Sequence, residues 1–171
     1  MPEQHTDILV RKPSQLTNTG NFILGSLLIA LIAAAEPYLQ GSFSTFVSVQ
    51  TENQIMGYYS FLYAIPALWM LYIFLETYVT SYKVSPERVE YRHGLIIAVR
   101  DEIEIYRIKD YQLIKPLHLR IFGLSNLELA TSDHSHPTLM FQAIRRGEST
   151  LEEIRNRVEA MREKKGVREI D

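Results

Sequence analysis

Ile55–Leu75 reads IMGYYSFLYAIPALWMLYIFL, a run of twenty-one residues without a formal charge. At 1.5 Å per residue such a helix is roughly 32 Å long, the depth of a bilayer's hydrocarbon core. Eight aromatic residues fall between Tyr58 and Tyr78. Those near the ends suit headgroup depth, where an apolar ring and a polar tip are both accommodated. Pro66 lies mid-span and predicts a kink that neighbouring groups can repair. A buried core helix of a soluble protein would read similarly, but a chain of 171 residues seldom needs two such segments.

A second segment lies upstream. Phe22–Ala35 (FILGSLLIALIAAA) is fourteen uncharged residues, short of the roughly 20 that a span needs. Extension to Leu16 and Leu39 supplies the length, and Tyr38 suits the boundary. Ala33–Ala35 resemble a signal-peptide cleavage site, yet the apolar segment that follows favours a retained anchor. A transmembrane hairpin is therefore expected over residues 22–78, preceded by a polar cytoplasmic tail over 1–21. Ser26, Ala30 and Ala34 recur every four residues. This small-residue stripe is the expected helix-packing face, the alternative being that it faces lipid.

Orientation follows from the flanks. Residues 36–54 contain no Lys or Arg, whereas Arg11 and Lys12 precede the first span and Lys83, Arg88 and Arg92 follow the second. The bias of basic residues places both termini in the cytoplasm.

The average composition conceals this division. Net charge −2, pI about 6.2 and mean hydropathy −0.08 would suit an ordinary soluble protein. Yet Glu36 and Glu52 are the only formal charges between Phe22 and Leu75. From Val79 onward there are sixteen of the eighteen Lys and Arg and fifteen of the twenty Asp and Glu, a net of +1 (16 − 15). That balance argues against nucleic acid as a partner, because duplex binders carry a clear basic excess. The absence of cysteine excludes disulfides, thiolate metal sites and cysteine nucleophiles.

Beyond Thr77 the period changes to two. Tyr78–Lys83 alternates and is rich in β-branched and aromatic residues, so a strand is expected directly after the second span. Ser85–Glu87 reads as a turn, Arg88–His93 as a strand, Gly94 as a hairpin turn and Leu95–Val99 as the next strand. Glu102–Ile108 (EIEIYRI) alternates with Ile103, Ile105 and Ile108 inward. Tyr111–Lys115 pairs next, and Leu117–Leu124 is an apolar connection. Leu127–Thr131 and Thr138–Ala143 form a hairpin around the tip Ser132–Pro137. About seven short strands predict an antiparallel barrel or sandwich. From Ser149 or Thr150 a helix begins, with Leu151, Ile154, Val158 and Met161 on one stripe. Glu152 and Glu153 suit its start, and Arg162, Lys164 and Lys165 its end, before Gly166. The fold class is thus a membrane α-helical hairpin plus an α+β soluble domain over 79–165, closed by an amphipathic helix, with a tail over 166–171.

The residues Tyr82-x-Val84-x-x-Glu87-Arg88, Gly94-Leu95, Glu102-Ile103-x-Ile105-x-Arg107-Ile108-x-Asp110, Arg120-Ile121-Phe122-Gly123-Leu124 and Leu127-x-Leu129-x-Thr131-Ser132 carry a resemblance. Over about residues 22–163 the chain is similar to membrane-anchored bacterial pleckstrin-homology-like proteins of the YdbS type. The resemblance implies a pleckstrin-homology-like barrel, a multi-pass protein of the bacterial inner membrane, no catalytic residues to transfer, and a platform role in a membrane assembly or envelope-stress function. Many eukaryotic pleckstrin domains bind inositol phospholipids through a basic loop. The loops Ser85–Glu87 and His93–Gly94 lack such a cluster here.

Candidate chemistry is sparse. His134 and His136 with Asp133 sit in the tip SDHSHP, but no third and fourth ligand stands at metal-site spacing, so a solvated tip is expected. Asp101, Glu102 and Glu104 resemble a paired-carboxylate arrangement, yet Glu102 and Glu104 fall on the outer face of an alternating strand. No nucleotide-binding loop, nucleophile elbow or zinc-protease motif occurs. Arg107, Lys109, Lys115, His118 and Arg120 bracket Leu117, Leu119, Ile121 and Phe122. This set, with Phe122 its apolar member, is the expected lipid or partner contact, each surface cation contributing about 1 kcal/mol at an anionic membrane. The alternative is that Leu119, Ile121, Phe122 and Leu124 pack into the core. The expected role is a non-enzymatic scaffold, without cofactor or metal: an accessory or assembly subunit. Its expected partners are the bilayer, other membrane subunits and, as one option, a second copy. An anionic-lipid or small-ligand sensor is the alternative.

Overall fold

The computed structural model describes residues 8–43 and 57–166, with side chains described outside 40–43. Expectations for the first seven residues, the 44–56 part of the inter-span loop and the last five residues lie outside this range. The chain divides into two units, Asn18–Leu75 and a unit built from the N-terminal residues to Thr17 together with Glu76 onward.

The first unit is a helical hairpin. Helix α1 runs Thr19–Phe43 and α2 runs Ala64–Val79, the latter entered through a 3-10 turn at Phe61–Tyr63. Both helical segments are long and apolar enough to cross a membrane, and only 6% of each apolar window is buried. A soluble core helix would be mostly buried. The helices meet through Gly25, where an added Cβ would press into the Met70 side chain. Tyr59 donates its hydroxyl hydrogen to the Ile32 carbonyl at 2.8 Å, and Tyr63 to Glu36 at 3.2 Å. Ser26, Ala30 and Ala34 are exposed. The contacts within the hairpin therefore run through Gly25, Ile32 and Glu36 rather than through the small-residue stripe. Glycine wins because it alone brings the backbone close enough for Met70 and Trp69.

The second unit holds seven strands in two antiparallel sheets. In chain order they are β1 (Leu9–Arg11), β2 (Ser81–Val84), β3 (Arg88–His93), β4 (Val99–Glu104), β5 (Ile108–Ile114), β6 (Leu124–Thr131) and β7 (Thr138–Arg145). One sheet has the order β1-β2-β3-β4 and the other β5-β6-β7. Helix α3 (Leu117–Ile121) joins β5 to β6, and α4 (Gly147–Lys165) follows β7. Both sheets and α4 share one core, in which Tyr82, Val89, Ile103, Ile108, Leu129, Phe141, Ile154 and Val158 are buried. Ile103, Ile105 and Ile108 all point inward. The 3-10 turn at Ile105–Arg107 keeps Ile105 and Ile108 on one side, since positions i and i+3 eclipse in that helix.

Four local expectations are corrected. The N-terminal segment is not a free tail: β1 pairs with β2, Leu9 opposite Val84 and Arg11 opposite Tyr82. An otherwise open edge of β2 gains a ladder of hydrogen bonds. Leu95–Ala98 is a hairpin loop rather than a strand. Gly94 has φ +92, and an added Cβ there would strike the Ile97 carbonyl, so the chain folds back at once. The connection Leu117–Leu124 contains the helix α3, and α4 starts at Gly147, ahead of Ser149.

A bulge in β7 shapes one end of this unit. The β6–β7 register shifts between Ser125 and Leu127, and Ala143 takes φ 43. A bulge leaves backbone groups without ladder partners, and each is met from elsewhere. Gln142 N–H donates to the Tyr82 hydroxyl at 3.1 Å and Ala143 N–H to Asn126 Oδ1 at 2.7 Å. The Ala143 carbonyl accepts from Ser14 N–H at 3.1 Å. The bulge thus fastens the N-terminal segment to the second sheet.

Tyr82 is at the centre of this arrangement, stacked on Phe141 at 4.4 Å and on Tyr91 at 5.3 Å. Burial pushes its hydroxyl up to about 12, from an ordinary 10. A phenol whose folded value exceeds its unfolded value stabilises the fold fully below the unfolded value and loses that contribution as pH rises toward the folded one. Between about pH 10 and 12 the unit should lose on the order of 2 kcal/mol from this group. Urea midpoints measured for the native chain and Tyr82→Phe across that window will check this. The native chain should show the steeper fall.

Candidate functional site

The residues expected as one contact surface separate into two regions. Arg107 bonds Glu104 at 2.9 Å and Asp133 at 3.2 Å. Its guanidinium ties the 3-10 turn to the β6–β7 tip, and its charge is already answered. Lys109 is exposed on β5. Lys115, His118, Arg120 and Phe122 gather instead around α3, with Lys115 ion-paired to Glu148 of α4. The connection splits between core and surface. Leu119 and Leu124 are buried with Ala143 and touch Leu16, whereas Leu117, Ile121 and Phe122 are 68%, 72% and 59% exposed. Helical winding causes the split, because a five-residue helix can bury only one of its faces.

Three arginines that the sequence pattern did not single out join this region. Arg11, Arg145 and Arg146 line an open cleft of about 540 Å³ with Phe122 and Gly123. A neighbouring cleft of about 520 Å³ is lined by Lys115, Arg120, Ser125, Arg146 and the first turn of α4. Arg11 arrives with β1 and is held there: its Nε donates to Thr150 Oγ1 at 2.9 Å. No local signal announces this, since 139 positions separate the two residues. Arg146 takes the left-handed conformation, φ 56 and ψ 43, immediately before α4.

A second cluster lies at the β3–β4 hairpin. Glu90 is buried and meets Arg100 at 3.0 Å and Arg92 at 3.2 Å. Glu102 bonds Arg88 at 2.7 Å, and that hydrogen bond holds its carboxyl below the usual carboxylate range. Glu104 is likewise held low, by the Tyr106 hydroxyl and then Arg107. Glu102 and Glu104 are thus engaged as charge partners. His136 Nε2 lies 3.2 Å from one carboxylate oxygen of Asp101, and His93 Nδ1 lies 3.8 Å from the other. His136 therefore has a partner across the sheets, while His134 is exposed. Among the described residues no group of three or more His, Asp or Glu is arranged to hold a metal ion. Beyond this cluster the β3–β4 loop is apolar and open, with Ile96 84% and Ile97 76% exposed.

Two antiparallel sheets with helices, one strand ahead of the two apolar helices and six after them, fit an α+β fold of the pleckstrin-homology-like class. The family model described as Bacterial PH domain (bPH_2) matches residues 19–162, and the chain belongs to that family. No curated protein and no solved structure matches the chain.

Proposed function

We propose that this chain is a membrane-tethered interaction module that serves as an accessory or assembly subunit of a larger membrane protein complex. The observation that carries this reading is the β3–β4 loop. A water-facing hairpin loop is normally built from Gly, Asn, Asp and Ser, yet here the turn presents Leu95, Ile96, Ile97 and Val99 to solvent. Such a tip fits an apolar pocket on the cytoplasmic side of a partner subunit, in the manner of an interface anchor. Two further features support it. The apolar helices offer a membrane anchor, and the Lys and Arg distribution favours cytoplasmic termini. A single residue, Thr80, separates α2 from β2 in the chain, which leaves little slack for roaming. Binding without catalysis belongs to the same reading.

The test is purification of the full chain from its native membranes in mild detergent. A second membrane protein is expected at fixed stoichiometry. The Ile96→Asp/Ile97→Asp variant should lose it while keeping the native melting temperature, because neither side chain is in the core. A native chain that elutes alone would sink the proposal.

A further inference from the structure

We propose that the outer face of α3, formed by Leu117, Ile121 and the adjoining Phe122, docks with Arg120, Arg145 and Arg146 onto the anionic headgroups of the bilayer that holds the chain's apolar helices. The proposal rests on the reading of those helices as a membrane anchor and is independent of the Ile96–Ile97 loop.

The apolar part comes first. Leu117 and Ile121 stand four positions apart on one helical face, while Leu119 is turned into the core against Leu124 and Ala143. Leu117, Ile121 and Phe122 are all exposed. Large apolar groups gathered side by side on a surface mark a contact with something apolar.

The charges select the occupant. Phe122 shares one cleft with Arg11, Arg145 and Arg146, and Arg120 and Arg146 line the next cleft with Lys115. Among the described residues Arg120, Arg145 and Arg146 have no carboxylate at ion-pair distance. Glu148, the carboxylate lining these clefts, is taken by Lys115. The crowding is felt at Arg11, whose pKa is lowered by burial and then by the charge of Arg146. An apolar centre with an unanswered basic rim matches the surface of an anionic bilayer. There apolar side chains reach below the headgroups and guanidinium groups stay among the phosphates. The Ile96–Ile97 loop lacks such a rim, because Arg92 and Arg100 beside it are answered by Glu90 and Glu102. The two apolar surfaces of this unit thus differ in the charge left over for headgroups.

Position is the third observation. Leu16 packs on the buried pair Leu119 and Leu124, Ser14 N–H donates to the Ala143 carbonyl, and the Thr17 hydroxyl donates to Gln142 Oε1 at 3.3 Å. The segment that leads into α1 is therefore fastened to the elements that carry the face. From Leu16 to Thr19, where α1 begins, is at most about 10 Å of chain. A surface tethered so near an apolar helix needs little intrinsic affinity to stay docked. Arg107 and Lys109 take no part. They stand at the start of β5, whereas Lys115 follows its end, and Arg107 is held by Glu104 and Asp133.

The test uses the full chain in lipid nanodiscs, one copy per disc, made of phosphatidylcholine alone or of an equal mixture with phosphatidylglycerol. Because the chain has no cysteine, Ile121→Cys provides a single site for an environment-sensitive fluorophore. A lipid bearing a nitroxide just below its headgroup reports contact by quenching it. His134→Cys, exposed at the opposite end of β6, is the control. In the anionic discs the label at 121 should be quenched and the label at 134 should not. Each cation favours an anionic surface by about fivefold, so Arg120→Gln/Arg145→Gln should lower the docked-to-free ratio by about twenty-five-fold. Both arginines are exposed, and the melting temperature should be unchanged. Equal quenching at the two positions, or the same quenching at 121 in phosphatidylcholine alone, overturns the proposal. So does a label at 121 that is shielded from aqueous acrylamide yet not quenched by lipid, since protein then covers the face. A chain that fails to enter the discs overturns the anchor as well as the docking; one that enters without quenching at 121 overturns the docking alone.

Discussion

Phe141→Ala lowers the stability of the two-sheet unit by about 3–5 kcal/mol, the usual cost of emptying a buried phenylalanine site. Phe141 has no exposed surface. It sits on β7 opposite Leu127 and stacks on Tyr82, which stacks on Tyr91, which stacks on His93 at 4.3 Å. The ring therefore joins the two sheets, and its neighbours come from backbone elements that cannot collapse onto the gap. A loss of that size approaches the whole stability of a small domain, about 5–15 kcal/mol. Urea denaturation of the full chain in detergent, followed by near-ultraviolet circular dichroism, should show a midpoint far below that of the native chain. Phe141→Leu fills most of the volume and should recover more than half of the loss. If Phe141→Ala unfolds within about 1 kcal/mol of the native chain, the shared core described for the two sheets is wrong.

Arg157→Leu carries the second large effect, and by a different mechanism. Arg157 lies on α4, 9% exposed. It donates to the Val84 carbonyl at 2.8 Å and to Glu153 at 2.8 Å. Leucine keeps most of the apolar stem but leaves the Val84 carbonyl, in a fully buried residue, without this donor. An orphaned buried acceptor costs about 1–3 kcal/mol. Glu153 is 40% exposed, so water answers its charge and adds little to the loss. Arg157→Lys supplies a charge without the planar fork that reaches both acceptors, and should recover only part of the deficit. Hydrogen exchange gives the local readout. Amides of β2 near Val84 should exchange faster in Arg157→Leu, while those of β6 change less. Equal stability of the leucine variant would show that α4 is held by its apolar stripe alone.

That stripe was legible in advance. Ile154, Val158 and Met161 repeat at helical spacing and all three are buried. Arg157 falls between them on the same face, and nothing in its neighbours marks it as buried. Its burial depends on the Val84 carbonyl, 73 positions away. Likewise alternation announced that Ile103 and Ile105 face inward, because a strand's side chains turn over every residue, whereas Ile108 is brought to that side by the 3-10 turn at Ile105–Arg107. The same alternation could not announce that Leu95–Val99 would become a loop. There the decision belonged to Gly94 and to β4 taking its register from β3, with His93 opposite Val99.

The candidate sites divide in the same way. Lys115, His118, Arg120 and Phe122 could be grouped from the chain because they are neighbours in it. Arg11, Ser125 and Arg146 could not, since they come from β1, β6 and the start of α4. Only β1 pairing with β2, and the Ala143 bulge holding Ser14, bring them together.

By itself, then, the sequence determined the period of each segment: two apolar helices long enough for a bilayer, a run of short strands and one amphipathic helix. Hydrophobic burial acts through local spacing, and local spacing is written in the chain. Tertiary structure alone decided that the N-terminal segment is a strand, that the helices meet at Gly25 rather than at Ser26, Ala30 and Ala34, and that the arginines converge. Those outcomes rest on contacts between residues far apart in the chain, where geometry and unsatisfied backbone groups choose the partner and local composition carries no record of the choice.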